Sequence, residues 1–204
     1  MNIVDIGSVG GLPDHLRRHA DKVMLFDPFQ KDKNDSENIY NCCVFDKEEQ
    51  RRFYVYNKLQ CSSLYKLNYR WIKEQRGSIP QKYLIKQEME VKCVPLDSLL
   101  SSDHQYQFLK IDAEGAELGI LGGAKQCISG FSYLEIESYL VPMFVNAPLF
   151  PEVKKMLESL GFNLVGHLRN MKKNLKFNEW IFINKGADPG PLRKIYRKYH
   201  NVVI

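Results

Sequence analysis

The sequence predicts an α/β protein built on an open, mostly parallel sheet. Three observations carry this. Short apolar runs at 2–6 (NIVDI), 22–26 (KVMLF) and 108–111 (FLKI) are too brief for helices and stop at Gly7, at Asp27-Pro28 and at Asp112. An amphipathic segment at 151–160 sets Val153, Met156, Leu157 and Leu160 on one face, with Gly161 as its stop signal. The two kinds of segment alternate, with no internal repeat or low-complexity stretch between them. Alternation of this kind buries a parallel sheet between helices.

The elements follow in order. The strand at 2–6 runs into a glycine loop, and a helix is expected over 12–20. The strand at 22–26 is followed by a third at 39–45. Residues 53–57 (FYVYN) alternate weakly, as one arm of a hairpin does. A helix rich in aromatics is expected over 64–74 and a short strand over 90–94. The strand at 108–111 leads to a helix over 117–127, weakened near Gly122 and Gly123. A strand at 133–137 (YLEIE) precedes the helix at 151–160. Strands at 162–168 and 179–184, joined by a polar, basic loop, close the pattern.

The 204 residues suit one domain, expected over 1–186 with a basic tail over 187–204. The net charge of +5 is uneven, because from Glu152 onward eleven Lys and Arg face four Asp and Glu. Lys172, Lys173 and Lys176 form one basic cluster, and Arg193, Lys194, Arg197 and Lys198 another. Such clusters serve as a solvated face or as a surface for an anionic partner. The five cysteines are odd in number and contain no CxxC pair, so reduced, mostly buried thiols are expected and no metal site. No apolar run approaches the ~20 residues that span a bilayer. Asp5 interrupts the first apolar run and no basic segment precedes it, so no signal peptide is read there and a cytoplasmic location is expected.

In sheets of this class ligands bind beyond the carboxyl ends of the strands. After the first strand comes VDIGSVGG, residues 4–11. Gly7 permits a tight turn, Gly10 or Gly11 lets a ligand approach the backbone, and the next helix points its N-terminus into the loop. A glycine turn with no ligand is the alternative. Asp27 follows the second strand about 20 residues on, the spacing at which an acid accepts hydrogen bonds from ribose hydroxyls. The pair points to an adenosine-type ligand. After 108–111 come three carboxylates in six residues: Asp112, Glu114 and Glu117. Asp112 is a cleft residue by position, and helix capping is compatible with that role. Glu135 and Glu137 share one strand face, with Glu137 nearer the strand end and the cleft.

Taken together these segments resemble the FkbM family of S-adenosylmethionine-dependent methyltransferases. The resemblance runs from about residue 3 to 185 and rests above all on FLKIDAEGAELGILGGA, 108–124. VDIGSVGG, LFDP (25–28), VPLDSL (94–99), YLEIE and NEWIFIN (178–184) match in order and spacing. It implies a class I methyltransferase fold: a seven-stranded Rossmann-like sheet whose last strand is antiparallel. It also implies S-adenosylmethionine as cofactor, with Asp5, Gly7, Ser8, Gly10, Asp27, Pro28, Val44, Phe45 and Asp112 around it. O-methylation of a hydroxyl on a sugar, glycan or small natural product is the reaction implied. The polar span between Pro28 and Ile39 is short for the family, so a reduced helix is expected there.

A hydroxyl is a weak nucleophile, and a general base helps its attack on a methyl group. Asp112 and Glu114 are the candidates for this role, with Glu137 third. His104 and His167 are expected at the surface. Two alternatives share the pattern: a nicotinamide-dependent oxidoreductase, which uses the same glycine loop and acid, and a catalytically weak or inactive methyltransferase-fold binding module. Nucleic acid is not the expected partner, since no Asn/Asp-Pro-Pro-Tyr segment occurs.

Overall fold

A computed structural model of the chain describes residues 1–7, 9–29, 37–168 and 177–203. Its centre is a seven-stranded sheet of order β3-β2-β1-β7-β8-β10-β9. The strands are β1 (Asn2–Ile6), β2 (Lys22–Phe26), β3 (Glu37–Tyr40), β7 (Phe108–Ile111), β8 (Tyr133–Tyr139), β9 (Phe162–His167) and β10 (Phe177–Asn184). All pair in parallel except β10, which runs antiparallel to both β8 and β9. This is the class I methyltransferase arrangement expected above.

A second sheet of three strands stands over the first: β4 (Cys43–Val44), β5 (Glu49–Tyr56) and β6 (Ile85–Val94), in order β4-β6-β5. Here the structure differs from the expected elements. The run 39–45 is not one strand. It turns after β3, where the Cys42 amide donates to the Tyr40 carbonyl at 2.9 Å, and continues as β4 in the other sheet. The weak alternation at 53–57 belongs to a longer antiparallel pair, β5 with β6.

The helices are α1 (Asp14–Arg17), α2 (Tyr69–Arg76), α3 (Glu117–Gly122), α4 (Phe150–Ser159) and α5 (Gly190–Tyr196). Each end has a local cause. Pro13 precedes α1 and sets its start, and the helix runs for about one turn. The helix expected from 64 begins later because the Asn68 side chain accepts from the Trp71 amide, and Gly77, in the left-handed region, ends it. The α3 helix stops where Gly123 meets the chain at Phe45: a Cβ there would lie 2.1 Å from the Phe45 carbonyl oxygen. The carboxylate of Asp97 then accepts from the amides of Gln126 and Cys127, the latter at 2.8 Å, so the Leu-Asp segment braces the exit of α3.

Alternate residues of the strands feed opposite faces of the sheet. Val4, Ile6, Leu109, Ile111, Leu134 and Ile136 join the larger core under α3, α4 and the second sheet. Ile3, Leu25, Phe108 and Ile181 join a smaller core under α1 and α5, where Leu192, Ile195 and Tyr196 of α5 are buried. All five cysteines are free, four of them buried. The basic residues Lys172, Lys173 and Lys176, the loop that joins the last two strands, and the middle of the span after β2 lie outside the described residues. Among the described residues no helix is long and apolar enough to cross a membrane, and no cluster of side chains forms a metal site.

Candidate functional site

The carboxyl ends of β1, β2 and β7 open on one cleft of about 680 Å³, including the space at its mouth. Backbone pairing sets its floor. The Asp112 amide donates to the Ile6 carbonyl, and the Gly7 amide donates to the Phe26 carbonyl, both at 2.9 Å. Gly7 adopts φ +85° and lies so close to β7 that a Cβ would stand 1.9 Å from the Asp112 carbonyl oxygen. Gly7, Asp27, Pro28, Val44 and Asp112 all line the cleft, with Phe29, Phe53 and Leu64 as an apolar wall.

Asp27 is 6% exposed. One carboxylate oxygen accepts from the Phe29 amide at 2.7 Å. Burial, with a lesser push from the carboxylates of Asp5 and Asp112, raises its pKa to about 6. Asp5 does not line the cleft. It is fully buried beneath the loop, where its carboxylate faces the Lys110 ammonium at 3.3 Å. Burial raises its pKa, and Lys110 opposes that rise. Gly10, at φ +97°, is beside the cleft and not in its wall. Ser8 lies outside the described residues. Phe45 turns away from Val44: its ring packs on α3, under the Arg51 guanidinium at 4.2 Å from the ring centre.

A second cavity adjoins the first, and Asp112 and Glu114 belong to both. Glu137 also lines it, so the three carboxylates expected to serve the chemistry converge there. Its other walls include Trp71, Tyr139, Phe144 and Phe177, with Lys58 and Arg76 among its lining cations. Glu114 adopts φ +52°, in the left-handed region, and its carbonyl accepts from the Ser63 hydroxyl at 2.7 Å. Its carboxylate bonds the Tyr139 hydroxyl, which lies 3.2 Å from Glu137 as well. Burial and the Asp112 charge raise the Glu114 pKa to about 8, against the lowering effect of the Tyr139 hydroxyl. Glu117 has a different part. It is 1% exposed and accepts from the amides of Gly115 and Ala113 at 3.0 and 3.3 Å, which fixes the loop that carries Asp112 and Glu114. Burial raises its pKa to about 7, against these amide bonds.

Lys110 and Tyr139 were not singled out from sequence. A lysine inside a four-residue buried strand was the available signal for the first. For the second it was the same-face spacing beyond Glu137. Glu135 sits apart from the cavities, held by the His15 ring and the Tyr196 hydroxyl, each at 2.7 Å. His104 and His167 are half-buried and not at the site: the His104 ring bonds the Cys127 carbonyl, and His167 packs on Trp180.

Residues 14–164 match the Methyltransferase FkbM domain. The chain belongs to the FkbM methyltransferase family. The FkbM match takes in the second sheet, the loop from Asp112 to Glu117 and the cleft wall from Phe26 onward, and it begins after β1 and the glycine loop. Among solved structures, a methyltransferase FkbM from Methylobacillus flagellatus KT superposes with TM-score 0.51 at 16% identity, covering 89% of this chain. The chain spans 43% of that protein's length. The magnesium protoporphyrin IX methyltransferase ChlM from Synechocystis PCC 6803, with bound SAM, gives TM-score 0.45 at 10% identity over 90% of this chain and 69% of its own. No curated protein sequence matches this chain.

Proposed function

We propose that this FkbM-family chain is an S-adenosylmethionine-dependent methyltransferase that methylates a hydroxyl of a small-molecule or glycan acceptor. The carrying observation is the shared wall. Asp112 and Glu114 separate a cleft suited to a nucleoside from an aromatic, carboxylate-lined cavity, so two ligands meet at these side chains.

The residues present fit the cofactor. Asp27 offers a buried carboxylate to the ribose hydroxyls, and Val44, Phe53 and Leu64 offer an apolar slot to a base. The bare backbone of Gly7 leaves no side chain between the β1 loop and β7. Asp112 supplies negative charge where an amino acid portion carries its ammonium. When bound, the sulfonium supplies a methyl carbon that leaves with its bonding electrons staying on sulfur.

The chain's residues do the rest. The two cavities align an acceptor with the methyl group, and alignment alone supplies much of the rate. We assign the general base to Glu114. Its pKa of about 8 lies near neutrality, where a base removes a proton and releases it again with little penalty. The acceptor proton passes to its carboxylate as the oxygen–carbon bond forms. Glu137 supports it through the shared Tyr139 hydroxyl.

Calorimetric titration of the protein with S-adenosylhomocysteine and with NAD tests the cofactor. Micromolar binding of the former is expected, and binding of NAD alone overturns the reading. Mass spectrometry of hydroxylated small molecules and glycans incubated with labelled cofactor tests the acceptor class. Label that appears only on amines or carbons overturns O-methylation.

A further inference from the structure

The pairing of β1, β7 and β8 sets Leu25, Asp5, Lys110, Glu135 and Ile181 side by side in one row across the sheet. The ends of the row are apolar and its middle carries three buried charges. Asp5 has no other support: among the described residues nothing donates a hydrogen bond to its carboxylate oxygens, and Lys110 meets it as an ion pair at 3.3 Å. Glu135 has two donors of its own, His15 and Tyr196. Of the three charges, Lys110 is the one that reaches toward the cavities. Its ammonium lies 3.3 Å from the Asp112 carboxylate, at the end of β7 where the two cavities meet.

Stability does not account for this lysine. Burying charges costs desolvation that their attraction repays poorly, and an apolar residue of similar volume would serve a sheet interior as well. The neighbours at both ends of the row are such residues. An apolar side chain supplies neither of the lysine's contacts, but the one with Asp5 serves only another member of the row, which could itself be apolar, whereas the one with Asp112 reaches the site. That contact fixes one carboxylate oxygen, and among the described residues no hydrogen bond engages the other. A carboxylate held this way has one orientation and a charge already balanced from behind, so it need not turn or recruit water when a ligand arrives.

We infer that Lys110 is a positioning residue, which holds the Asp112 carboxylate aimed at the junction of the two cavities so that it receives the cofactor's ammonium. The inference rests on the cofactor reading above. It assigns Asp112 to cofactor holding and leaves the proton to Glu114.

A double-mutant cycle tests it. All proteins carry Asp5→Asn, so that no variant buries a lone carboxylate at that position. Into this background go Lys110→Met, Asp112→Asn, and both together, with S-adenosylhomocysteine affinity and thermal melting measured for each. Lys110→Met is expected to weaken binding at least tenfold when Asp112 is present, and less than twofold when residue 112 is Asn. Lys110→Arg, which keeps the charge, is expected to retain most of the affinity. The same loss in both backgrounds overturns the assignment, because a lysine that only supports the fold acts without regard to residue 112. Unchanged binding in Lys110→Met also overturns it, while leaving the cofactor reading intact. Failure of the unaltered protein to bind S-adenosylhomocysteine overturns that reading, and this inference falls with it.

Discussion

The ring of Phe45 occupies the place where a side chain on Gly119 would stand: a Cβ there would lie 2.2 Å from the ring's Cε2. The second sheet is thereby seated on α3, the helix whose first turn holds the Asp112–Glu114 loop. Gly119→Ala forces the ring or the helix to move. We expect a loss of about 1–3 kcal/mol of stability, the usual cost of overpacking a core. Thermal or urea denaturation measures it, and Phe45→Leu in the same protein is expected to recover part. Equal stability of Gly119→Ala and the unaltered chain would show that the sheet and helix are not locked together.

As the proposed ribose partner, Asp27 would make cofactor affinity depend on pH. Its pKa is raised to about 6, so it is ionised above that pH and protonated below. Only the carboxylate accepts from both ribose hydroxyls. Binding of S-adenosylhomocysteine is therefore expected to weaken as pH falls through 6. Asp27→Asn removes that dependence and weakens binding at pH 8 by about 1.5–3 kcal/mol, the worth of hydrogen bonds to a charged group. Calorimetry between pH 5 and 8 reads both effects, and a parallel pH profile for the variant contradicts the assignment.

As the proposed base, Glu114 would give the reaction an alkaline dependence. With a pKa of about 8, it accepts a proton only after losing its own, so kcat/KM is expected to rise up to about pH 8 and level above. The kcat profile should turn over at lower pH, because a bound cation favours the carboxylate. Glu114→Gln is expected to flatten the rise and to slow turnover by about 10²–10⁴-fold. A Glu114→Gln enzyme that keeps both the slope and the rate would move the base to another carboxylate.

Glu117 sets a stability trend of the opposite sense. Its folded-state pKa of about 7 lies above the ordinary value of 4.5, so folding favours its protonated form. The stability it contributes is complete below about pH 4.5 and is lost as pH rises through 7. Asp27 and Glu114 act in the same direction. Glu117→Gln keeps an acceptor for the Gly115 amide but cannot ionise. Its melting temperature is expected to change less between pH 5 and 8 than that of the unaltered chain. The difference is on the order of 3 kcal/mol at 1.36 kcal/mol per pH unit. Identical profiles for the two proteins would assign the pH dependence elsewhere.

The sequence disclosed the parallel core most clearly. Runs such as KVMLF and FLKI are apolar but for one lysine each because both faces of the sheet are covered, and their ends fall where a polar or glycine residue follows. The break between β3 and β4 left no such mark, since apolar side chains continue past Asn41 into a different sheet. Phe45 shows the same limit: Val44 and Phe45 are equally hydrophobic, yet one faces the cleft and the other faces α3. Asp112 and Glu114 were legible because they follow a strand at once. Lys110 as a link between Asp5 and Asp112 was not, because strands adjacent in space stand more than a hundred residues apart in the chain. The aromatic wall was hidden for the same reason, as Trp71, Phe144 and Phe177 meet only through the fold.

The central place of β1 also bears on how the protein is made. Its two neighbours are β2, which follows closely, and β7, which pairs Asp5 with Lys110 about a hundred residues later. A parallel pair of such span closes slowly, because the intervening loop must be ordered before the contact rewards it. Until Ile111 leaves the ribosome, the apolar run 2–6 has no partner on that side. From residue 6 to residue 111 the nascent chain thus carries an open sheet edge, and that interval is when aggregation or chaperone capture would compete with folding.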